Sequence, residues 1–293
     1  MADGVSVPDR LRVSVVVPAL NAAATIGDQL LALSRQERVI PFEVIVADNG
    51  STDGTPGVVA QYAAHLPRLR CIDASDSKGA AAARNAGAQL AVGEILAFCD
   101  ADDVVDERWL AELRDGLAHA DFVGGALDMK RLNDPDALKW RPAAGVRTEG
   151  SVFLPHAPSG NFAVWRKVFI AVGMFDESFG RGEDNEISYR LQLHGYTYEH
   201  LSNAVVHYRL RHGLHDVWRQ GFDSGLADVR LYGRFRQFGF PRRSAADVLR
   251  SLLWLVVKVP SLTRRSEIGL WLRKAGLQLG RCVGSASYRV LYL

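Results

Sequence analysis

The sequence predicts an α/β fold: a mostly parallel central sheet flanked by helices, with a helical extension at the C-terminus. Three observations carry this. Four short segments that read as strands, the first of them β-branched, alternate with segments of helical spacing. Polar clusters follow Val17, Val46, Ala74 and Cys99. All four fall at the carboxyl ends of the strands, the edge where such sheets take ligands. Finally, 293 residues of which 48% are hydrophobic can bury one large core, or a domain plus an extension.

Each element can be justified in turn. "VSVVVP", Val13 to Pro18, is a β-branched strand ended by proline. Thr25 to Gln36 has helical spacing at Ile26, Leu30, Leu31 and Leu33. "FEVIVADNGSTDGT" is a second strand running into a loop of turn formers, in which Asp53 or Thr55 has a structural role. Pro56 to Leu66 suits a helix, and "LRCIDA" is a third strand. "GAAAARNAGAQLA" is a helix of small residues, and "EILAFCDADD" is a fourth strand that stops at acids.

Composition narrows the classes. No repeat and no excess of Gly or Pro is present, which argues against solenoids and disorder. Cys71, Cys99 and Cys282 lie far apart without zinc or redox spacing, and read as buried thiols in a reducing compartment. "MADGVSVPDR" carries acids and no apolar stretch, so it does not read as a secretory signal. No apolar run reaches membrane-span length. The net charge of +2 conceals an asymmetry. From Pro241 onward ten bases face two acids, leaving the preceding residues at −6.

The acids at the end of the fourth strand pose the chemical question. Asp100, Asp102 and Asp103 repel one another unless a cation sits between them. Residues two apart in extended chain point the same way, so Asp100 and Asp102 can face one ion. Mg²⁺ or Mn²⁺ suits two carboxylates plus phosphate oxygens and water. The alternative is a solvated turn, with Asp103 or Asp106 capping the helix "ERWLAELRDGL". Elsewhere on the rim, "PALNAAATI" can present backbone to a nucleotide, and Asp48 can accept from a base N–H. Lys78 and Arg84, near a helix N-terminus, suit phosphate or base carbonyls.

"VSVVVPALN", "FEVIVADNGSTDGT", "KGAAAARNAG" and "EILAFCDADD", in this order, resemble the nucleotide-binding half of family 2 glycosyltransferases. "SGNFAVWRKVFIAVGMFDESFGRGEDNEISYRLQLHGY" is similar to the acceptor side of the same family. The resemblance covers roughly Val13 to His207 and implies the GT-A fold, a nucleotide diphosphate sugar donor and inverting transfer to a saccharide or lipid-linked acceptor. By position it implies that Pro18, Ala19, Asn21, Asp48, Lys78, Arg84 and Asp100 line the donor site. It places Mn²⁺ or Mg²⁺ on Asp100 and Asp102, with His207 as a further ligand. It makes Asp184 of "GED" the general base, whose other reading is a helix N-cap, and it puts Glu183, Glu186 and Asn161 on the acceptor side. The implied organisation is a glycosyltransferase domain at 10–240, divided into a nucleotide-binding half (10–125) and an acceptor-side half (126–240), followed by a tail at 241–293.

Two other classes stand beside this one. A nucleotidyltransferase would carry a basic Gly-rich phosphate loop, and "PALNAAATIG" lacks the base. A non-catalytic sugar-nucleotide-binding subunit would not need both D-x-D and "GED". Nothing points to nucleic acid. The tail sets apolar runs, Val248 to Val259 and then Ile268 to Leu279, among bases. Such helices can lie on an anionic membrane, pack on the domain or form a homodimer. The resulting expectation is a cytoplasmic protein at the inner face of the cell membrane.

Overall fold

The computed structural model describes residues 13–37, 41–140, 152–210 and 213–292. The "MADGVSVPDR" stretch lies outside them.

The chain divides into two compact units. The first, formed by 1–127, 157–175 and 190–207, holds the sheet. Its strand order is β3-β2-β1-β4-β7-β6-β8-β5. β1 (Val13–Ala19), β2 (Phe42–Asp48), β3 (Leu69–Asp73) and β4 (Ile95–Cys99) are parallel neighbours. β7 (Asn161–Trp165) then runs antiparallel to β4 and to β6 (Phe122–Asp128). The short β5 (Val104–Val105) lies antiparallel to β8 (Tyr198–His207). The mixed sheet follows from the connections. Helices α1 (Ile26–Ser34), α2 (Thr55–Ala60) and α3 (Ala80–Leu90) bridge successive parallel strands, as parallel pairing requires. The later strands return without that constraint.

Val13 to Val17 of β1 and the whole of β4 are buried, as strands covered on both faces must be. The small residues of α3 have a reason in packing. A side chain on Gly87 would collide with Val16, so α3 lies close against β1. Between strands, Glu43 is 4% exposed and accepts from Ser14 Oγ at 2.6 Å, Val92 N–H at 2.9 Å and Arg70 at 2.7 Å. Burial alone would push its carboxyl up; the Ser14 hydroxyl, the Val92 N–H and Arg70 outweigh it and hold the carboxyl below its ordinary range. α4 (Trp109–Gly116) follows β5, and α6 (Arg166–Ala171) follows β7.

The second unit comprises 128–156, 176–189 and 208–293 and is helical. It holds α5 (Pro135–Trp140), the first turns of α7 (Glu183–Leu193), α8 (Leu214–Phe235), α9 (Ala245–Lys258) and α10 (Arg265–Ser287). Its core is aromatic: Phe179, Tyr189, Phe235, Phe240 and Tyr292 pack with Phe153. α8 and α10 meet through glycines. A Cβ on Gly221, Gly225 or Gly280 would overlap a carbonyl of the facing helix, and one on Gly276 would lie 2.6 Å from the Trp218 carbonyl oxygen. Asp228 and Arg281 pair across this contact at 2.6 Å. No helix among the described residues is long and apolar enough to cross a membrane.

The expectation of three buried thiols holds for Cys99 only. Cys71 and Cys282 are exposed, the first on the edge strand β3 and the second on α10.

Candidate active site

The acids at the end of β4 converge. Ligand oxygens of Asp100, Asp102 and Asp103 all lie within 4.8 Å of one another. Asp102 is exposed, Asp100 half-buried and Asp103 fully buried. Arg84 brings a buried cation to one of them, Asp100. Its guanidinium is 2.6 Å from Asp100 Oδ1, its side chain is 3% exposed, and the ring of Phe175 lies 5.7 Å away. Arg84 was expected to serve a nucleotide's phosphate or base; the structure turns it inward onto a carboxylate instead.

Two further residues shape this loop. Gln29, on α1 and fully buried, donates to the Asp100 carbonyl at 3.0 Å and accepts from the Val105 N–H at 3.0 Å. It pins both ends of the acidic turn. Gly160 faces Asp100, and a Cβ there would lie 2.5 Å from Oδ2. Neither role was legible beforehand, because each depends on a residue far off in sequence. Asp103 belongs to the acidic group rather than to a helix cap. α4 begins at Trp109, and it is Asp106 that accepts the Arg108 N–H, at 3.2 Å, just ahead of it.

The donor set fits a hard divalent cation: oxygen ligands only, all within 4.8 Å of one another, with the outermost open to solvent. The neighbouring Cys99 does not offer a thiolate, because burial, with Asp100 beside it, pushes its thiol well up. Asp100, Asp102 and Asp103 are thus the residues that would hold Mg²⁺ or Mn²⁺.

The rest of the rim is tied together by side chains. Asn21 has φ +51° and its Oδ1 accepts from the Thr52 N–H at 2.8 Å, while its own N–H donates to Ser51 Oγ at 2.8 Å. Asp53 accepts from the Ala23 N–H at 2.9 Å and from Thr55 Oγ1 at 2.6 Å. The Thr55 hydroxyl first, then the Ala23 N–H, hold its carboxyl below its usual value, which bears out the structural reading of this pair. Asn49 accepts from the Gly79 N–H at 2.8 Å and donates to the Ser77 carbonyl at 2.8 Å, fixing the start of α3. Pro18 and Ala19 end β1 in register with Ala47 and Asp48. Asp48 receives the Ser51 N–H at 3.3 Å, and Lys78 is exposed on the loop before α3.

Known proteins can be set beside this geometry. The family described as "Glycosyl transferase family 2" matches residues 14–169. The chain belongs to glycosyltransferase family 2. The succinoglycan biosynthesis protein ExoA of Rhizobium meliloti is 28% identical over 291 residues, covering 94% of this chain and 85% of that protein. Glycosyltransferase AglE of Haloferax volcanii is 30% identical over 250 residues, covering 84% and 80%. Among solved structures, the mannosyltransferase PcManGT from Pyrobaculum calidifontis in complex with GDP-Man and Mn²⁺ aligns with TM-score 0.63 at 20% identity, over 95% of this chain and 76% of that one. The first 349 residues of S. aureus TarS, in complex with UDP-GlcNAc, align with TM-score 0.55 at 17% identity, over 95% and 92%. These likenesses show the GT-A fold.

In this family 2 glycosyltransferase the remaining expected residues fall in different places. Asn161, expected on the acceptor side, is fully buried at the start of β7. Its Oδ1 accepts from Trp109 Nε1 at 2.8 Å, and its Nδ2 donates to the Ala126 and Ala204 carbonyls, both at 2.9 Å. With its amide so engaged it holds the sheet together, and the acceptor role is withdrawn. His207 ends β8 opposite Val104 and lies 3.9 Å from Asp106. Among the described residues it is not part of the ligand group formed by the three acids.

Asp184 lies in the second unit, half-buried in the first turn of α7. The helix starts at Glu183, directly after Gly182 with φ +81°, so Asp184 is inside the helix and is not its N-cap. Its Oδ1 accepts from the Asn185 N–H at 2.8 Å. Glu183 is half-buried beside it. Glu186 is fully buried and paired with Arg234 at 3.1 Å, which takes it out of the acceptor-side set. Arg234 also pairs with Asp176 of "GMFDE". Burial pushes the Asp176 carboxyl up, but hydrogen bonds from Ser178 and Arg234 outweigh that and lower it.

Proposed function

We propose that this chain transfers a sugar from a nucleotide diphosphate sugar to an acceptor hydroxyl in a single inverting displacement, in the synthesis of a polysaccharide or glycolipid. The observation that carries the reading is the group of three carboxylates at the end of β4 within 4.8 Å, backed by a buried arginine. Such a constellation has a use where a cation must be held against a phosphate-bearing ligand. A divalent ion bound there supplies positive charge to the leaving diphosphate. ExoA is named for succinoglycan biosynthesis, and PcManGT was solved with GDP-Man and Mn²⁺, in keeping with this reading.

The chain's own residues then take these parts. Pro18, Ala19 and Asn21 present the end of β1 to the nucleotide. Asp48 accepts from a base N–H, and Lys78 offers its ammonium to a phosphate. Asp184 takes the proton of the acceptor hydroxyl as its oxygen attacks the anomeric carbon and the bond to the diphosphate breaks. Glu183 orients the acceptor. The acceptor is a saccharide or a lipid-linked saccharide at the inner face of the cell membrane, with peripheral contact through the chain after 241.

The test is turnover across a panel of nucleotide diphosphate sugars, with and without Mn²⁺, for wild type and Asp102→Asn. Metal-dependent release of nucleoside diphosphate by the wild type alone is the expected result. Metal-independent release, or wild-type Mn²⁺ and donor affinity in Asp102→Asn, would overturn the metal assignment. Release of pyrophosphate from a nucleoside triphosphate and sugar phosphate would show a nucleotidyltransferase instead.

A further inference from the structure

Among the described residues α9 stands apart: none of its residues is fully buried. One side meets α10, where Trp271 Nε1 donates to the Leu255 carbonyl at 2.9 Å and Lys274 Nζ lies 3.8 Å over the ring of Trp254. The other side carries Leu249, Leu252, Leu253, Val256 and Val257, exposed by 47–71%. At 100° per residue these five occupy an arc of about 140°, and no polar side chain of the helix falls inside it. Monomeric proteins seldom leave so continuous an aliphatic strip in water.

The charge around the strip says what covers it. Arg250 on α9, Arg242 just ahead of it, and Arg264 and Arg265 at the start of α10 are all exposed, while Lys258 falls on the side of α9 away from the strip. The one acid on the helix, Asp247, accepts from Ser244 and pairs with Arg250. An aliphatic strip bordered by bases matches an anionic bilayer, with the aliphatic side chains below the headgroups and the bases among them. α10, by contrast, lays Gly276, Gly280 and Gly284 against α8 and is held there.

We infer that the outward face of α9, and not α10, is the surface by which this protein docks on an anionic membrane. The inference deepens the membrane contact proposed above and rests on it.

The chain of 293 residues is the object of the test. Removing everything after Phe240 would strip the glycine-lined face of α8 and confound the result. Co-sedimentation is measured with phosphatidylglycerol-containing and pure phosphatidylcholine vesicles, at low and high salt, for wild type, Leu253→Ser/Val256→Ser and Arg242→Gln/Arg250→Gln. Wild type is expected to bind the anionic vesicles and to be released by salt. The aliphatic variant should lose binding by about tenfold or more, and the charge variant by about fivefold per base removed. Donor turnover in solution should be unchanged in both variants, showing that they fold. Wild-type binding retained by the aliphatic variant would overturn the assignment to α9 while leaving membrane contact standing. No vesicle binding by any form would overturn both. A dimer in sedimentation velocity that the aliphatic variant dissolves would make the strip a self-association face and also overturn the inference.

Discussion

Replacing Arg84 by Met tests whether one buried cation holds the acidic turn together. The guanidinium is 2.6 Å from Asp100 and 3% exposed, whereas the carboxylate is 28% exposed. With charge centres about 4 Å apart and an effective dielectric of about 20, the attraction is about 4 kcal/mol. Removing the cation also relieves the cost of keeping it dry, which reduces the net loss. Methionine fills most of the volume beside Phe175, so little cavity is added. What remains is Asp100 without its buried partner, beside Asp102 and Asp103, and we set the loss at about 3 kcal/mol. For a chain of this size that lowers the melting temperature by about 6–12 °C. Mn²⁺ at a hundredfold excess over its Kd stabilises by about 2.7 kcal/mol through binding alone. In the variant the ion also relieves the repulsion, so its melting temperature should rise more with Mn²⁺ than that of wild type. Arg84→Lys should fall between the two. Thermal unfolding by circular dichroism, with and without metal, reads all of this. An Arg84→Met protein as stable as wild type without metal would refute the reasoning.

How much of this was legible in the sequence depends on whether the cause is local. β1 through β4 could be read because each is a short segment bounded by turn residues, β-branched in β1 and β2 and apolar in β4, and the rim followed from their alternation with helices. The presence of Arg84 and of the acids was visible, but their pairing was not. A cation near a helix N-terminus serves a phosphate or a carboxylate equally well, and the fold decides by bringing residue 100 to within 2.6 Å of residue 84. Asn161 misled for the same reason, since only the Trp109 and Ala204 partners show that its amide is used up in the core. The tail was legible only in part. Its aliphatic residues are plain in the sequence, and Gly276, Gly280 and Gly284, four apart like Gly221 and Gly225, are the sequence sign of a close helix pair. That sign separates the packed helix from the one left facing outward.

Three further substitutions extend these tests. Gly160→Ala places a Cβ 2.5 Å from Asp100 Oδ2, well inside contact distance, so the carboxylate must turn away. Mn²⁺ affinity by calorimetry should drop by about tenfold or more, the cost of one misplaced ligand, and unchanged affinity would mean that Asp100 is not a ligand. Glu43, whose carboxyl is held below its ordinary value, stabilises the fold above about pH 4.3 and loses that contribution as pH falls through its lowered folded pKa. In urea unfolding, the gap between wild type and Glu43→Gln should be largest near neutral pH and shrink on acidification below about pH 4, and a gap independent of pH contradicts this. Asp184→Asn separates a base from a helix-end residue. The asparagine oxygen can still accept the Asn185 N–H that Asp184 accepts at 2.8 Å, and the lost charge at the helix start costs only about 0.3–1 kcal/mol. The fold and donor affinity should therefore persist while turnover falls by about 10²–10⁴-fold, the worth of a positioned proton acceptor. Glu186→Gln is the contrasting control: it breaks the buried pair with Arg234 and should lower stability first. If Asp184→Asn turns over normally and Glu183→Gln carries the loss, the base is the neighbouring carboxylate, one position earlier in the same turn.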